Sequence, residues 1–267
     1  MKDTKKIRIQ SVSTWSIIVT IVLAVIFAAV SVSSEKEFQV LRQTTDEYIL
    51  CQNSAKELQD GSDYLTEQVR MYAMTAKTEY RDLYFEEANT TRRREKPLEE
   101  LKKYFADTDS FTALETALSR SQELMETEYY SMRLVAESYG KSEESLPEVQ
   151  LSTEDKALSA QDKRTKAQDI VCDTAYQSVR NEITDNVTEC MNSLIRLTRN
   201  RQGRASTIFS DMYLKLEISI VVLVAMMLVI CMLVRKLVVQ PLVSYNESIK
   251  LGEIFPVIGA AELQNLA

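Results

Sequence analysis

Residues 15 to 32 read WSIIVTIVLAVIFAAVSV, inside a run from Ile9 to Ser34 that holds no charged residue. As a helix this stretch is long enough to cross a hydrocarbon core of about 30 Å. A second uncharged run, ISIVVLVAMMLVICMLV, lies between Glu217 and Arg235. Ser219 is its only strongly polar member, and a serine hydroxyl can bond back to a helix carbonyl. The second run is at the short end of the usual range, so Leu216 and Leu237 are expected to extend it past its charged edges, where lysine and arginine can snorkel. Lys2, Lys5, Lys6 and Arg8 precede the first run, and Arg235 and Lys236 follow the second. Basic residues resist translocation, so both termini are expected in the cytoplasm and the chain between the runs outside it. The alternative for the N-terminus is a signal peptide cleaved near Ala29 and Ser31. The apolar region is longer than the ~7 to 15 residues of a signal-peptide core, so the span is expected to stay attached.

The expected organisation is a cytoplasmic N-terminus (1–14), a first span (15–34), an extracytoplasmic domain (35–216), a second span (217–237) and a cytoplasmic linker (238–267). Of the net charge of −7, residues 1–14 contribute +3 and residues 235–267 nothing, which leaves −10 for the middle. That acidity does not suggest nucleic acid. Five glycines and four prolines supply little turn chemistry for sheets. Neither GxGxxG nor GxxxxGK[ST] occurs, so nothing reads as a nucleotide cradle. Histidine is absent, which removes the commonest general base, the usual zinc ligand and any phosphoacceptor histidine from these residues. No catalytic site, metal or cofactor is expected here. Of the four cysteines, Cys231 lies in the second run. Cys51 and Cys190 fall at levels of about 27 and 40 Å above the membrane on unbroken helices at 1.5 Å per residue. With Cys172 they read as small packing residues rather than a disulfide framework.

The middle region reads as helix. Leu41, Thr44, Tyr48, Cys51, Ala55, Leu58, Ser62, Leu65, Val69 and Tyr72 recur at spacings of three and four, a seam continuing from the first span. A break is expected near Ala76 to Thr78. A second helix follows, with Tyr80, Leu83, Tyr84 and Ala88 inward and Pro97 kinking or restarting it. After a turn at Asp107 to Ser110, a third helix from about Phe111 to Tyr139 presents Leu114, Ala117, Leu118, Leu124, Tyr129, Met132 and Val135, and Gly140 stops it. Lys141 to Asp162, with Pro147, reads as a loop. From about Lys163 a last long helix carries Ile170, Val171, Ala175, Val179, Ile183, Val187, Met191, Leu194 and Leu197 towards the second span. The expected fold is all-α, an extracytoplasmic antiparallel four-helix bundle flanked by two transmembrane helices.

SDYLTEQVRMYAMTAKTEYRDLYFEEANTTRRREKPLEEL (62–101) and ELMETEYYSMRLVAES (123–138) resemble the four-helix-bundle sensor regions that precede GGDEF domains in bacterial membrane diguanylate cyclases. Chemoreceptor sensor bundles are more distantly similar. VVQPLVSYNESIKLGEIFPVIGAAELQNLA (238–267) resembles a HAMP linker, with Pro241 opening its first amphipathic helix and Glu262 at the start of its second. The span from Pro241 to Glu262 is shorter than a typical HAMP spacing, and the sequence stops where the second HAMP helix would begin. Where the family break after the first bundle helix carries a glycine, this chain has Thr75, Ala76 and Lys77, a turn expected to be partly helical. The resemblance implies a signal-input module whose output domain is a GGDEF cyclase. The same layout serves histidine kinases and chemoreceptors, and a structural cell-envelope bundle is a third possibility.

Membrane helices continuous with bundle helices would transmit an outside displacement to Arg235 and beyond. Pro241 would interrupt that path, and Leu242, Tyr245 and Ile249 form a seam for a partner, so a homodimer is expected. Chemoreceptor bundles, by resemblance, bind small carboxylates through arginines at their membrane-distal end. Arg70, with Tyr72 beside it, is the candidate there, because a guanidinium donates two parallel bonds to a carboxylate. Arg93, in the run Arg92 to Arg94, is a further candidate ligand residue, and the plainer reading of the run is a solvated helix face. Tyr129 and Tyr130 read as core and rim rather than as a ligand cage.

Overall fold

The computed structural model describes residues 9–141, 146, 149–251 and 260, and among them every regular element is helical, an all-α fold. The helices are α1 (Ile9–Thr75), α2 (Thr78–Glu86), α3 (Glu95–Phe105), α4 (Asp109–Ser138), α5 (Thr153–Ala157), α6 (Ala160–Cys172), α7 (Thr174–Val234) and α8 (Gln240–Leu251), with π-helical turns at Glu87–Thr91 and Arg235–Val239. The chain divides into two units, Gln43–Gly203 and the combination of Met1–Arg42 with Arg204–Ala267.

In the unit Gln43–Gly203 the seam of α1 is buried at Cys51, Leu58, Leu65, Val69 and Tyr72. Two apolar clusters form along it. One joins Leu65, Val69, Tyr72 and Ala73 of α1 to Tyr84, Met132, Val135, Ala167 and Val171. The other joins Cys51 and Leu58 to Leu101, Phe105, Phe111, Leu114, Met191 and Leu194. Burying one such leucine or phenylalanine contributes about 1.5–3 kcal/mol.

Helix ends are set by local chemistry. α1 stops because Ala76 turns left-handed (φ 54°), and its N–H closes the last turn on the Tyr72 carbonyl at 2.8 Å. The break therefore sits where the sequence puts it, but it is a left-handed cap on an alanine rather than partly helical turn. α2 passes into the π turn and ends at Arg92 (φ 55°), five residues before Pro97, which sits buried in the first turn of α3 where its missing N–H costs nothing. α4 is capped by Thr108, whose Oγ1 accepts from Phe111 N–H at 3.3 Å. It ends at Gly140 (φ 65°), with the Lys141 N–H returning to the Ala136 carbonyl at 3.2 Å.

Two sequence expectations are corrected. The stretch read as a loop from Lys141 to Asp162 contains α5 and the start of α6, capped by Ser152 and Ser159. Asp155 of α5 is held by Lys166 (2.6 Å) and by the Tyr130 hydroxyl (2.5 Å). The single helix expected from Lys163 breaks at Asp173, whose extended backbone ends α6 and whose Oδ1 accepts the Tyr176 N–H at 2.6 Å to start α7. Pro147 and residues 1–8 lie outside the described residues.

In the other unit Phe38 packs on Phe209 (centroids 5.7 Å apart). α1 and α7 each include a helix long and apolar enough to cross a membrane, and no residue of either apolar window is buried by the protein. Trp15, for example, is 68 % exposed. A core helix of a water-soluble protein would cover that surface, so an apolar surrounding fits it better. Beyond Val234 the regular α-helix is interrupted just ahead of Pro241, and α8 starts at Gln240, one residue before the proline expected to open it. The π turn Arg235–Val239 precedes the proline, and the Leu237 carbonyl, which Pro241 cannot serve for want of an N–H, accepts from Ala260 N–H at 3.2 Å.

The left-handed alanine gives a test. A left-handed residue with a Cβ costs about 1–2 kcal/mol, and glycine loses about 0.5–1 kcal/mol more chain entropy than alanine. Ala76→Gly should therefore stabilise the protein by about 0.5–1 kcal/mol, read as a rise in Tm of about 1–3 °C by circular dichroism. A fall in Tm would show that the Ala76 backbone carries no strain.

Candidate functional site

Leu114, Ser121, Glu128 and Val135 lie seven residues apart on α4, and all four are buried. The outer two belong to the two apolar clusters; the inner two are polar and mark a layer between them. On α1 that layer falls between Leu58 and Leu65, and on α7 above Met191.

Glu128, 4 % exposed, is at its centre. One carboxylate oxygen accepts from the Tyr84 hydroxyl of α2, and the other accepts from the Tyr176 hydroxyl of α7 at 2.5 Å. Burial raises the Glu128 pKa above the ordinary 4.5, against the pull of both hydroxyls and of Arg94 and Arg70. Burial, with the glutamate beside them, likewise pushes the Tyr84 and Tyr176 hydroxyls well above their ordinary value.

Arg94 enters the layer from the left-handed break after the π turn. It is 5 % exposed, with Nη1 donating to Ser121 Oγ (2.8 Å), Nη2 to Met125 Sδ (2.8 Å), and Glu95 at 3.5 Å. The close approach of this segment to α1 needs Gly61, because a Cβ there would stand 3.0 Å from Arg93 Cβ and 3.2 Å from Arg94 Cγ. A cavity of about 320 Å³ adjoins the layer, lined by α1 (Ala55 to Thr66), α4 (Leu118 to Glu128), α7 (Arg180 to Asn192) and Arg94. Arg180 stands at its edge, on Asp63 and the Thr66 hydroxyl.

The ligand candidates read from the sequence do not converge there. Arg70 Nε donates to the Val171 carbonyl (2.9 Å), and its guanidinium lies 5.6 Å over the Tyr176 ring, with Nη2 buried and without a hydrogen-bond partner among the described residues. Tyr72 is buried in the apolar cluster with Val69. Arg93 pairs with buried Glu87 (2.8 Å) and covers the Tyr64 ring at 4.8 Å, which ties the π turn to α1. None of the three lines the cavity. The run Arg92 to Arg94 is thus no solvated face: Arg94 is inside and Arg93 is half-buried. Cys172 is exposed, which corrects its reading as a buried packing residue, whereas Cys190 is half-buried and Cys51 is buried, with its thiol pushed up to about 11 by that burial. Of the relay residues, Pro241 is buried, Leu242 and Ile249 are exposed, Tyr245 is half-buried, and Glu262 lies outside the described residues.

Arg94 and Glu128 were not singled out in the sequence. Glu128 had a signal, since it sits on the α4 heptad seam where apolar residues stand on either side. Arg94 had none, because its burial follows from a backbone break in a run of three arginines. No group of residues among those described could hold a metal ion. Comparison with protein-family models, with curated proteins and with solved structures returns no match.

Removing the carboxylate strands two buried hydroxyls, at about 1–3 kcal/mol each, so Glu128→Ala should destabilise the protein by about 3–5 kcal/mol. The pH dependence has a definite sign. With its folded pKa above the unfolded one, Glu128 takes up its proton preferentially in the folded state, so its contribution is most favourable below pH 4.5 and is lost as pH rises through the folded value. The Tm of Glu128→Gln relative to wild type should therefore climb between pH 4 and pH 7. A pH-independent difference would show that folding leaves the Glu128 pKa where it is in the unfolded chain.

Proposed function

We propose that this chain is the input module of a membrane receptor: an extracytoplasmic antiparallel four-helix bundle over residues 35–216, anchored by two transmembrane helices, that senses a stimulus and relays it through a HAMP-like linker to a cytoplasmic output domain. The observation that carries the reading is that α1 and α7 each include both an apolar, uncovered helix and one wall of a cavity beside a buried polar layer. A change in how those walls sit would be felt along the same two helices. The sequence resemblance favours a GGDEF diguanylate cyclase as the output, with no catalysis in these residues. Leu242 and Ile249 are exposed with Tyr245 between them, which supports a homodimer formed along α8.

Cys172 supplies a direct test of topology, because it is exposed while Cys51 is buried. In a Cys190→Ser, Cys231→Ser background, a membrane-impermeant maleimide added to intact cells should label the chain, and Cys172→Ser should abolish the label. Labelling that requires permeabilised cells would place the domain inside and defeat the receptor reading. A cysteine scan of α8 in membranes tests the dimer. Disulfide crosslinking should peak at positions 242, 245 and 249 and drop at 243, 246 and 250; uniform or absent crosslinking would remove the α8 seam.

A further inference from the structure

We infer that the cavity beside Glu128 binds a small organic monoanion with an apolar body, a carboxylate whose charge is met by the Arg94 guanidinium. The inference builds on the receptor reading by naming what the bundle would receive.

The volume of about 320 Å³ lies within the range of small-molecule pockets. Leu58, Leu65, Leu118, Leu124, Ile183 and Val187 supply apolar wall, so most of an occupant has to be hydrocarbon. The charge at the wall is lopsided. Arg94 is buried yet meets a hydroxyl and a thioether as hydrogen-bond acceptors, with a single carboxylate at 3.5 Å. Five N–H donors against two hydrogen bonds leave capacity for a carboxylate, whose two oxygens match the guanidinium fork. A buried guanidinium that meets two neutral acceptors is only partly compensated for its lost hydration, and an anion beside it restores more of that.

Glu128 does not fill this role. Both its oxygens are taken by Tyr84 and Tyr176, and burial pushes it towards its neutral form. Arg70 adds positive charge on the far side of the tyrosine layer. Arg180 is already matched by Asp63 and contributes little net charge. The other two cations at the wall are not free for a second anionic group, since Arg180 is paired with Asp63 and Lys56 is exposed to solvent, which favours a monoanion over a dicarboxylate.

Isothermal titration of the full chain in dodecyl maltoside micelles, against empty micelles, tests the assignment. The probes are benzoate, 2-naphthylacetate and 2-naphthylacetamide. The expected result is one naphthylacetate bound per chain, with the amide at least tenfold weaker. Thr184→Trp, which fills the cavity from α7 without touching Arg94, should abolish binding while leaving the unliganded Tm within about 2 °C. Arg94→Met should weaken the acid at least tenfold and leave the amide unchanged. Absence of binding by both acids, equal affinity for acid and amide, or full binding by Thr184→Trp would overturn the assignment. Should Arg94→Met fail to fold, the acid-to-amide comparison and Thr184→Trp decide alone. Binding together with failed Cys172 labelling keeps the cavity assignment and removes the receptor reading; labelling without binding does the reverse.

Discussion

A carboxyl group buried between two apolar clusters is the constraint on which the helical domain turns. Glu128 can be held there only if its oxygens are met, and they are met by hydroxyls from two different helices, Tyr84 on α2 and Tyr176 on α7. Those two contacts fix the rotation of both helices about α4, because a tyrosine hydroxyl lies at a set distance from its backbone. Leucines in the clusters above and below could tolerate a sliding neighbour at modest cost. A hydrogen-bonded carboxyl cannot, since breaking one bond strands a buried polar group.

Other features follow from serving that layer. Asp173 breaks what would otherwise be a continuous helix, and the restart it caps presents Tyr176 three residues later. The π turn Glu87–Thr91 and left-handed Arg92 bring Arg94 to the far side of the same layer. Glu87 holds this loop from within by pairing with Arg93, and Gly61 clears room for it on α1.

The all-helical character was legible in the sequence because it depends on periodicity, which survives without tertiary knowledge. The α1 seam from Cys51 to Tyr72 and the α4 residues Phe111 to Val135 are buried at positions a three-four spacing picks out. The site was less legible, for a physical reason. Arg94 differs from Arg92 and Arg93 only through two backbone dihedrals upstream, and no composition rule reports a left-handed residue that is not glycine. Ala76 shows the same limit, since the chain turns there without the residue that usually signals it. Asp173 was readable as an N-cap, but the apolar pattern continuing from Val171 to Val179 masked the break.

The polar layer also bears on how a proposed receptor of this kind would move. Apolar clusters deform gradually, whereas a layer of paired charges and hydroxyls has discrete arrangements separated by the cost of unpaired groups. An anion at Arg94 would compete with Glu95 and Ser121 for the guanidinium and would alter the electrostatic hold on Glu128, whose hydrogen bonds set the rotation of α7. At the other end of α7 the helix enters the π turn at Arg235–Val239, where the Leu237 carbonyl, facing a proline four residues on, accepts from the Ala260 N–H. A π turn takes up a small rotation more readily than an ideal α-helix does.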